Sequence, residues 1–466
     1  MRRPLDFCRS AFAGCAIAGP VLLLLSALGV LAVNVPYWDD YGAIVRYMGW
    51  PFPERMRHLF DFHNEHRIVT VRLFLEAMVA LTGKVNFKTC MVFGTAQLLV
   101  LLACFAWFQV RQFGGRLGIA LLTAASWHLF SILNFDNAFW ALTALENFGV
   151  LMWAFLAIIL FHHRARPAFR ALSFLCAVLA VLTSAQGLAV VGVLILMSLV
   201  SPDGKSRAGG SGGWKGLFRE VCIRLRKPSS LCGILVTVAF SGLVGTLYFS
   251  GFHLGGAAVK AVNATSVDKM LYVVAFMGNL VPLYPVALVC GSLVMGAVAV
   301  TTLAFPRLPV RLHPVFFFMA YLVGVAVAGV MFRGAEPRAA LSFRYYVITA
   351  CLFISVTTLL VELWGRSSLA VRMLVPVLVA GFVLLDLGVA IIGWPMFKAR
   401  NEALRINMLT WPKSLDGLRV DDGYREQASR ELQQLERLGR YDHQSLIQKG
   451  EAVPEKPVPW PTPKLP

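Results

Sequence analysis

An all-α polytopic membrane protein is the fold class this sequence predicts, on three observations. Of its 466 residues, 58% are hydrophobic and only 15% are charged. Apolar runs of about 20 residues recur along the chain, each long enough to cross ~30 Å of hydrocarbon. The runs are continuous rather than alternating, which selects a helical bundle over a barrel.

The apolar windows, in order, are 11–33, 88–110, 117–134, 138–161, 169–183, 187–200, 231–250, 285–306, 314–332, 345–363 and 373–395, which makes about eleven crossings. With the N-terminus and its Arg2, Arg3 and Arg9 placed in the cytoplasm, every cytoplasmic loop meets the positive-inside bias. The cytoplasmic loops carry Arg111 and Arg116; Arg164, Arg166 and Arg170; Lys205 through Lys227; Arg307 and Arg311; and Arg366 and Arg372. The net charge of +18 is largely this anchoring charge, so it does not call for a nucleic-acid partner. The first window is too long for a signal-peptide core, and no small-x-small site precedes Asn34, so it reads as an uncleaved anchor.

This topology gives a transmembrane domain over 1–395 and an outer C-terminal tail over 396–466. The first outer loop, 34–87, carries Phe60, Phe62, Ile68, Val71, Leu75 and Val79 at near-helical spacing among charges. That pattern predicts one or two helices lying in the membrane interface. The inner loop 201–230 reads as a flexible Gly/Ser linker followed by a basic helix. The tail predicts a polar helix around 423–438 and a disordered Pro-rich end from Val453. No internal repeat is evident, which weighs against inverted-repeat transporters.

Polar residues concentrate on the outer side. Asp39 and Asp40 stand side by side just past the first window, between Trp38 and Tyr41. One acid suffices for a helix N-cap; the second is available to take a proton from an attacking hydroxyl. Both are candidate catalytic residues. His63, Glu65 and His66 follow in the same loop as candidates for an acceptor or cation site. On a helix, His63 and His66 share a side. With Glu65 or an acid of the pair they could hold Mg2+ or Mn2+, and Asp40 and His66 are the candidate ligands. Arg67 is a candidate for binding a donor phosphate. So are Arg333, Arg338 and Arg344, three Arg on the outer face against the charge bias, with Tyr345 beside them. The plainer alternative for these Arg is anchoring at span ends; the alternative with chemistry is the guanidinium fork on phosphate oxygens. Asn134, Asp136 and Asn137 mark a span end, and Glu146 and Asn147 lie deeper, where polar groups either serve function or join helices. Ser184 to Gly187 reads as the turn between two short spans.

Together these clusters resemble the GT-C fold glycosyltransferases, and more narrowly bacterial envelope members of that fold. The likeness rests on the acidic pair Asp39 and Asp40 after the first span, the Asn-Glu-His-Arg run at Asn64 to Arg67, and Arg344-Tyr345 at the start of a late span, over about residues 1–395. The resemblance implies a multi-pass protein of the bacterial inner membrane with its site on the periplasmic face. It implies transfer of a sugar from a polyprenyl-phosphate donor to a hydroxyl of a glycan, lipid or protein, with membrane lipid as a further partner. A flippase for lipid-linked glycans, or a non-catalytic subunit of envelope polysaccharide assembly, is the rival expectation. A flippase needs a polar path through the whole bilayer, whereas the polar residues here gather at one face.

Overall fold

A computed structural model describes residues 4–200, 213–253, 263–281, 283–333, 336–365, 368–411, 413–447 and 456–460. Each of the apolar windows folds as helix. Among the described residues, eight helices are long and apolar enough to cross a membrane: Ala13–Leu31, Phe87–Phe113, Gly115–Ala138, Ala141–His162, Pro228–Phe249, Tyr284–Leu303, Val310–Val330 and Phe343–Trp364. The other three windows differ in length. Pro167–Val181 and Leu188–Val200 are helices of 15 and 13 residues, reaching only about 23 and 20 Å. They are joined by the expected turn, a 3-10 element at Ala185–Gly187. The last window lies inside Leu369–Thr410, a 42-residue helix about 63 Å long at 1.5 Å per residue.

The first loop departs from a run of interfacial helices. A π-turn, Tyr41–Val45, leads into the short helix Arg46–Gly49. Pro51 and Pro53 fix the start of Phe52–Arg57, since proline is preset for the first helical turn. Then comes a hairpin, not a helix: β1 (Phe62–His63) pairs antiparallel with β2 (His66–Arg67), and His63 faces His66 across it. Asn64, at the tip, takes φ 51°, the left-handed geometry a two-residue hairpin turn demands and Asn tolerates. Helix Val69–Thr82 follows and ends at Gly83, φ 74°. Its expected apolar face exists, but Ile68, Val71 and Leu75 are buried in protein.

Arginines set the loop's shape. Arg67 donates from Nε to the Tyr248 carbonyl at 3.0 Å and from its two terminal nitrogens to the carbonyls of Phe60 and Ser250. Arg72 Nη1 reaches the carbonyls of His58, Leu59 and Asp61 at 2.7–2.9 Å. Buried Arg55 pairs with Glu76 at 2.5 Å, tying Phe52–Arg57 to the following helix. Loops hold their carbonyls this way because buried backbone acceptors need donors.

The tail is docked on this loop. Helix Arg425–Arg437 packs on the Tyr41–Gly49 segment, where Gln434 donates to the Gly49 carbonyl at 2.9 Å. Arg440 holds the Met48 and Trp50 carbonyls, and the Tyr441 hydroxyl donates to the Asn34 carbonyl at 2.8 Å. The Pro-rich end was expected to be disordered, yet residues 456–460 are placed. Asn407 exchanges two hydrogen bonds with the Val458 backbone, at 2.6 and 3.0 Å. Of the inner loop, the basic helix is present as Gly213–Arg226, and 201–212 lie outside the described residues.

Candidate functional site

The acidic pair divides its labour by direction. Asp40 is fully buried and accepts from the Tyr37 N–H at 3.0 Å and the Leu142 N–H at 2.9 Å. It thereby pins the first loop to the start of helix Ala141–Thr143. Burial pushes its carboxyl up to about 8, against those two donors. Trp38, immediately before the pair, takes φ 48°, a conformation that costs a bulky side chain energy. Asp39 is only partly buried, and among the described residues its carboxylate has no hydrogen-bond or ion-pair partner.

Asp39 stands where three cavities meet. The first, about 560 Å³, has a polar end at Asp39, His63, His66, Glu146, Arg344 and Tyr345. It continues between helices Leu188–Val200 and His313–Arg333 along Leu188, Val193, Leu196, Ala320, Gly324 and Val325. Leu196 and Phe249 line it and are 41% and 49% exposed, so its apolar part reaches the side of the bundle. The second cavity, about 650 Å³, lies between the first loop and tail residues Val420, Asp421 and Tyr424. The third, about 440 Å³, is bounded by Tyr37, Asp136, Trp140, Ser342 and Arg344. Asp39 and Asn64 border all three.

Glu146 sits in a π-turn, Ala144–Phe148, the kind of one-residue irregularity that re-aims a side chain in a helix. Gly94 makes room for it. A Cβ there would lie 2.4 Å from the Ala144 carbonyl carbon, so only glycine lets the two helices meet at this level. The charges of Asp39, His63 and Arg344 act on Glu146, and Ser184 hydrogen-bonds to it. His66 Nδ1 is 3.7 Å from Glu146 Oε1 and 3.2 Å from the Ala185 amide nitrogen. The shorter contact makes Nδ1 an acceptor and leaves the proton of the neutral ring on Nε2. Burial holds His63 below the ordinary imidazole value, opposed by the charges of Asp39 and Glu146.

Among the expected phosphate ligands, the structure brings Arg344 and Tyr345 to the first cavity. Asn137 holds the Arg344 carbonyl at 3.1 Å, and the guanidinium lies 5.6 Å from the centre of the Trp140 ring. Two others are elsewhere. Arg67 borders none of these cavities and gives its fork to three carbonyls. Arg338 is exposed over the Tyr284 ring. The side chain of Arg333 lies outside the described residues. Asp40 commits both oxygens to backbone N–H groups, and among the described residues no three His, Cys, Asp or Glu side chains are grouped to hold a metal ion.

The candidate residues had not included Asn64, Trp38, Ser184 or the tail residues at 420–424. Glu146 was legible as an acid in an apolar window, Asn64 in the Asn-Glu-His-Arg run and Ser184 only as part of a turn; Trp38 and the tail residues carry no signal apart from the contacts the fold creates. A scan against protein-family models and searches of curated proteins and of solved structures return no match.

Proposed function

We propose that this chain is a GT-C-like membrane glycosyltransferase. It moves a sugar from a polyprenyl-phosphate donor to a hydroxyl acceptor at the outer face of a bacterial inner membrane, which the chain crosses about eleven times. The observation that carries this reading is the sharing of Asp39 between an apolar cavity open to the side of the bundle and two polar ones. A polyprenyl tail suits the first, and a water-soluble acceptor suits the others.

In this mechanism the donor phosphate lies against Arg344 and Tyr345, whose charge and hydroxyl stabilise the departing phosphate. The acceptor O–H gives its proton to the Asp39 carboxylate as its oxygen bonds to the anomeric carbon. The bond from that carbon to the phosphate oxygen breaks, and its electron pair leaves on the phosphate. Asp39 then releases the proton to water. Attack from the face opposite the phosphate inverts the anomeric configuration. Holding both substrates against one carboxylate supplies much of the rate.

The test is turnover by the purified protein in nanodiscs with a panel of short-chain polyprenyl-phosphate sugars. Asp39→Asn is expected to lower kcat by at least about a hundredfold. Arg344→Lys is expected to raise the donor KM, and Arg344→Ala to raise it further, because lysine keeps the charge but loses the fork. Near-wild-type turnover in Asp39→Asn refutes the assignment of the base, and unchanged donor KM in both Arg344 variants refutes the phosphate site.

A further inference from the structure

We infer that the acceptor is an oligosaccharide lying across Asp39, with sugar units held on both sides of it, so that an internal unit of the acceptor is the one modified. This rests on the glycosyltransferase reading and names its acceptor class.

The second and third cavities share Trp38, Asp39 and Asn64 and diverge from there. One recess runs toward the tail and offers the rings of Trp50 and Tyr424 with the carboxylates of Asp421 and of Asp61, the latter also bonded to His58 at 2.5 Å. The other runs toward Trp140 and Asp136, one of whose carboxylate oxygens accepts from Arg400 at 3.0 Å while the other remains for a ligand. Each therefore pairs aromatic rings with carboxylates. That pairing matches a sugar, whose hydroxyls donate to carboxylates and whose C–H faces lie on aromatic rings. A lipid acceptor would put apolar surface against these charges at a desolvation cost. A peptide acceptor gripped through backbone pairing would need a strand edge, and among the described residues the only strands are the two-residue β1 and β2.

The two-sided arrangement carries the second half of the inference. An enzyme that modifies a chain end needs one recess leading from the base. Here a recess departs in each direction, and the residues at their junction include Trp38 and Asn64, the non-glycine residues with positive φ in the described chain. At Asn64 this geometry belongs to the hairpin turn; at the bulky Trp38 it is strain, which persists where the surrounding structure enforces it and concentrates at ligand sites.

The experiment is saturation-transfer NMR with the full-length protein in nanodiscs, using linear gluco- and chito-oligosaccharides from the monosaccharide to the pentasaccharide, with a cationic peptide for comparison. The expected result is that affinity rises about tenfold from monosaccharide to trisaccharide. Asp421→Ala, on an exposed tail residue, is expected to remove most of that gain, as is Asp136→Asn on the other side. Should Asp136→Asn fail to fold, Asp421→Ala alone decides. Binding of a monosaccharide as tightly as a trisaccharide, binding of the peptide alone, or no binding of any oligosaccharide overturns the inference. So does transfer to the terminal unit of the oligosaccharide, read by mass spectrometry of the product. The two readings fail separately. Length-dependent, Asp421-dependent binding without turnover of any donor removes the enzyme and leaves the oligosaccharide site. Turnover indifferent to acceptor length removes the oligosaccharide site and leaves the enzyme.

Discussion

Neutralising Asp39 and neutralising Asp40 are expected to do opposite things, although the residues are adjacent. Asp40 accepts two backbone N–H groups in a fully buried setting. In Asp40→Ala both donors lose their partner, and each unsatisfied buried group costs about 1–3 kcal/mol. The total, ~2–6 kcal/mol, is a large part of the ~5–15 kcal/mol that holds a typical domain together. Asp40→Asn keeps one acceptor oxygen and turns an NH2 toward the other donor, so it should lose about half as much. Asp39 has no such partners among the described residues, and Asp39→Asn should change stability by no more than about 0.5 kcal/mol. The assay is thermal unfolding of the purified variants in one detergent, followed by turnover of those that fold. The expected pattern is an Asp39→Asn protein with wild-type Tm and no transfer, beside an Asp40→Ala protein with a greatly lowered Tm. Equal Tm values for Asp39→Asn and Asp40→Ala would refute the division of roles.

Burial raises the Asp40 carboxyl to about 8 from an unfolded value near 3.8. The folded state thus holds a proton that the unfolded state has released, and stability should fall by about 1.4 kcal/mol per pH unit as pH rises through that window, then level off. Asp40→Asn should flatten that slope, as measured by Tm against pH. Gly94→Ala places a Cβ 2.4 Å from the Ala144 carbonyl carbon, so it should cost ~1–3 kcal/mol and lower kcat by displacing the Glu146 turn; unchanged Tm and kcat would count against the packing argument. Arg67→Lys loses the fork that holds three carbonyls and should lower Tm while leaving the donor KM unchanged, which separates a loop clamp from a phosphate ligand.

The apolar windows were legible because twenty consecutive apolar residues admit few structures in lipid. Asp39 was legible as a candidate because a second acid is surplus to one N-cap, but Asp40 makes no side-chain cap and turns instead to the Tyr37 and Leu142 N–H groups. The hairpin at 62–67 was not. Its alternation spans two residues per strand, too few to stand out from helical spacing, and the Arg67 and Tyr248 contacts that stabilise it join positions 181 residues apart. The docking of the tail was hidden for the same reason. Its helix 425–437 is polar overall; Ala428, Leu432 and Leu435 mark the side that packs, but their spacing does not say against which segment. Sequence spacing placed His63 and His66 together correctly in space, but through strand pairing rather than a helix face.

The docking of residues 419–441 on residues 34–50 imposes an order on synthesis. The loop bearing Asp39 emerges with the first helices, but its packing partners are made hundreds of residues later, after the 42-residue helix is complete. Until then the second cavity has no wall at Asp421 and Tyr424. Such a distant contact is slow to form because a long intervening chain must first be placed. A nascent chain stalled before residue 419 therefore carries its carboxylate in an unfinished chamber, without the Asp421 and Tyr424 wall.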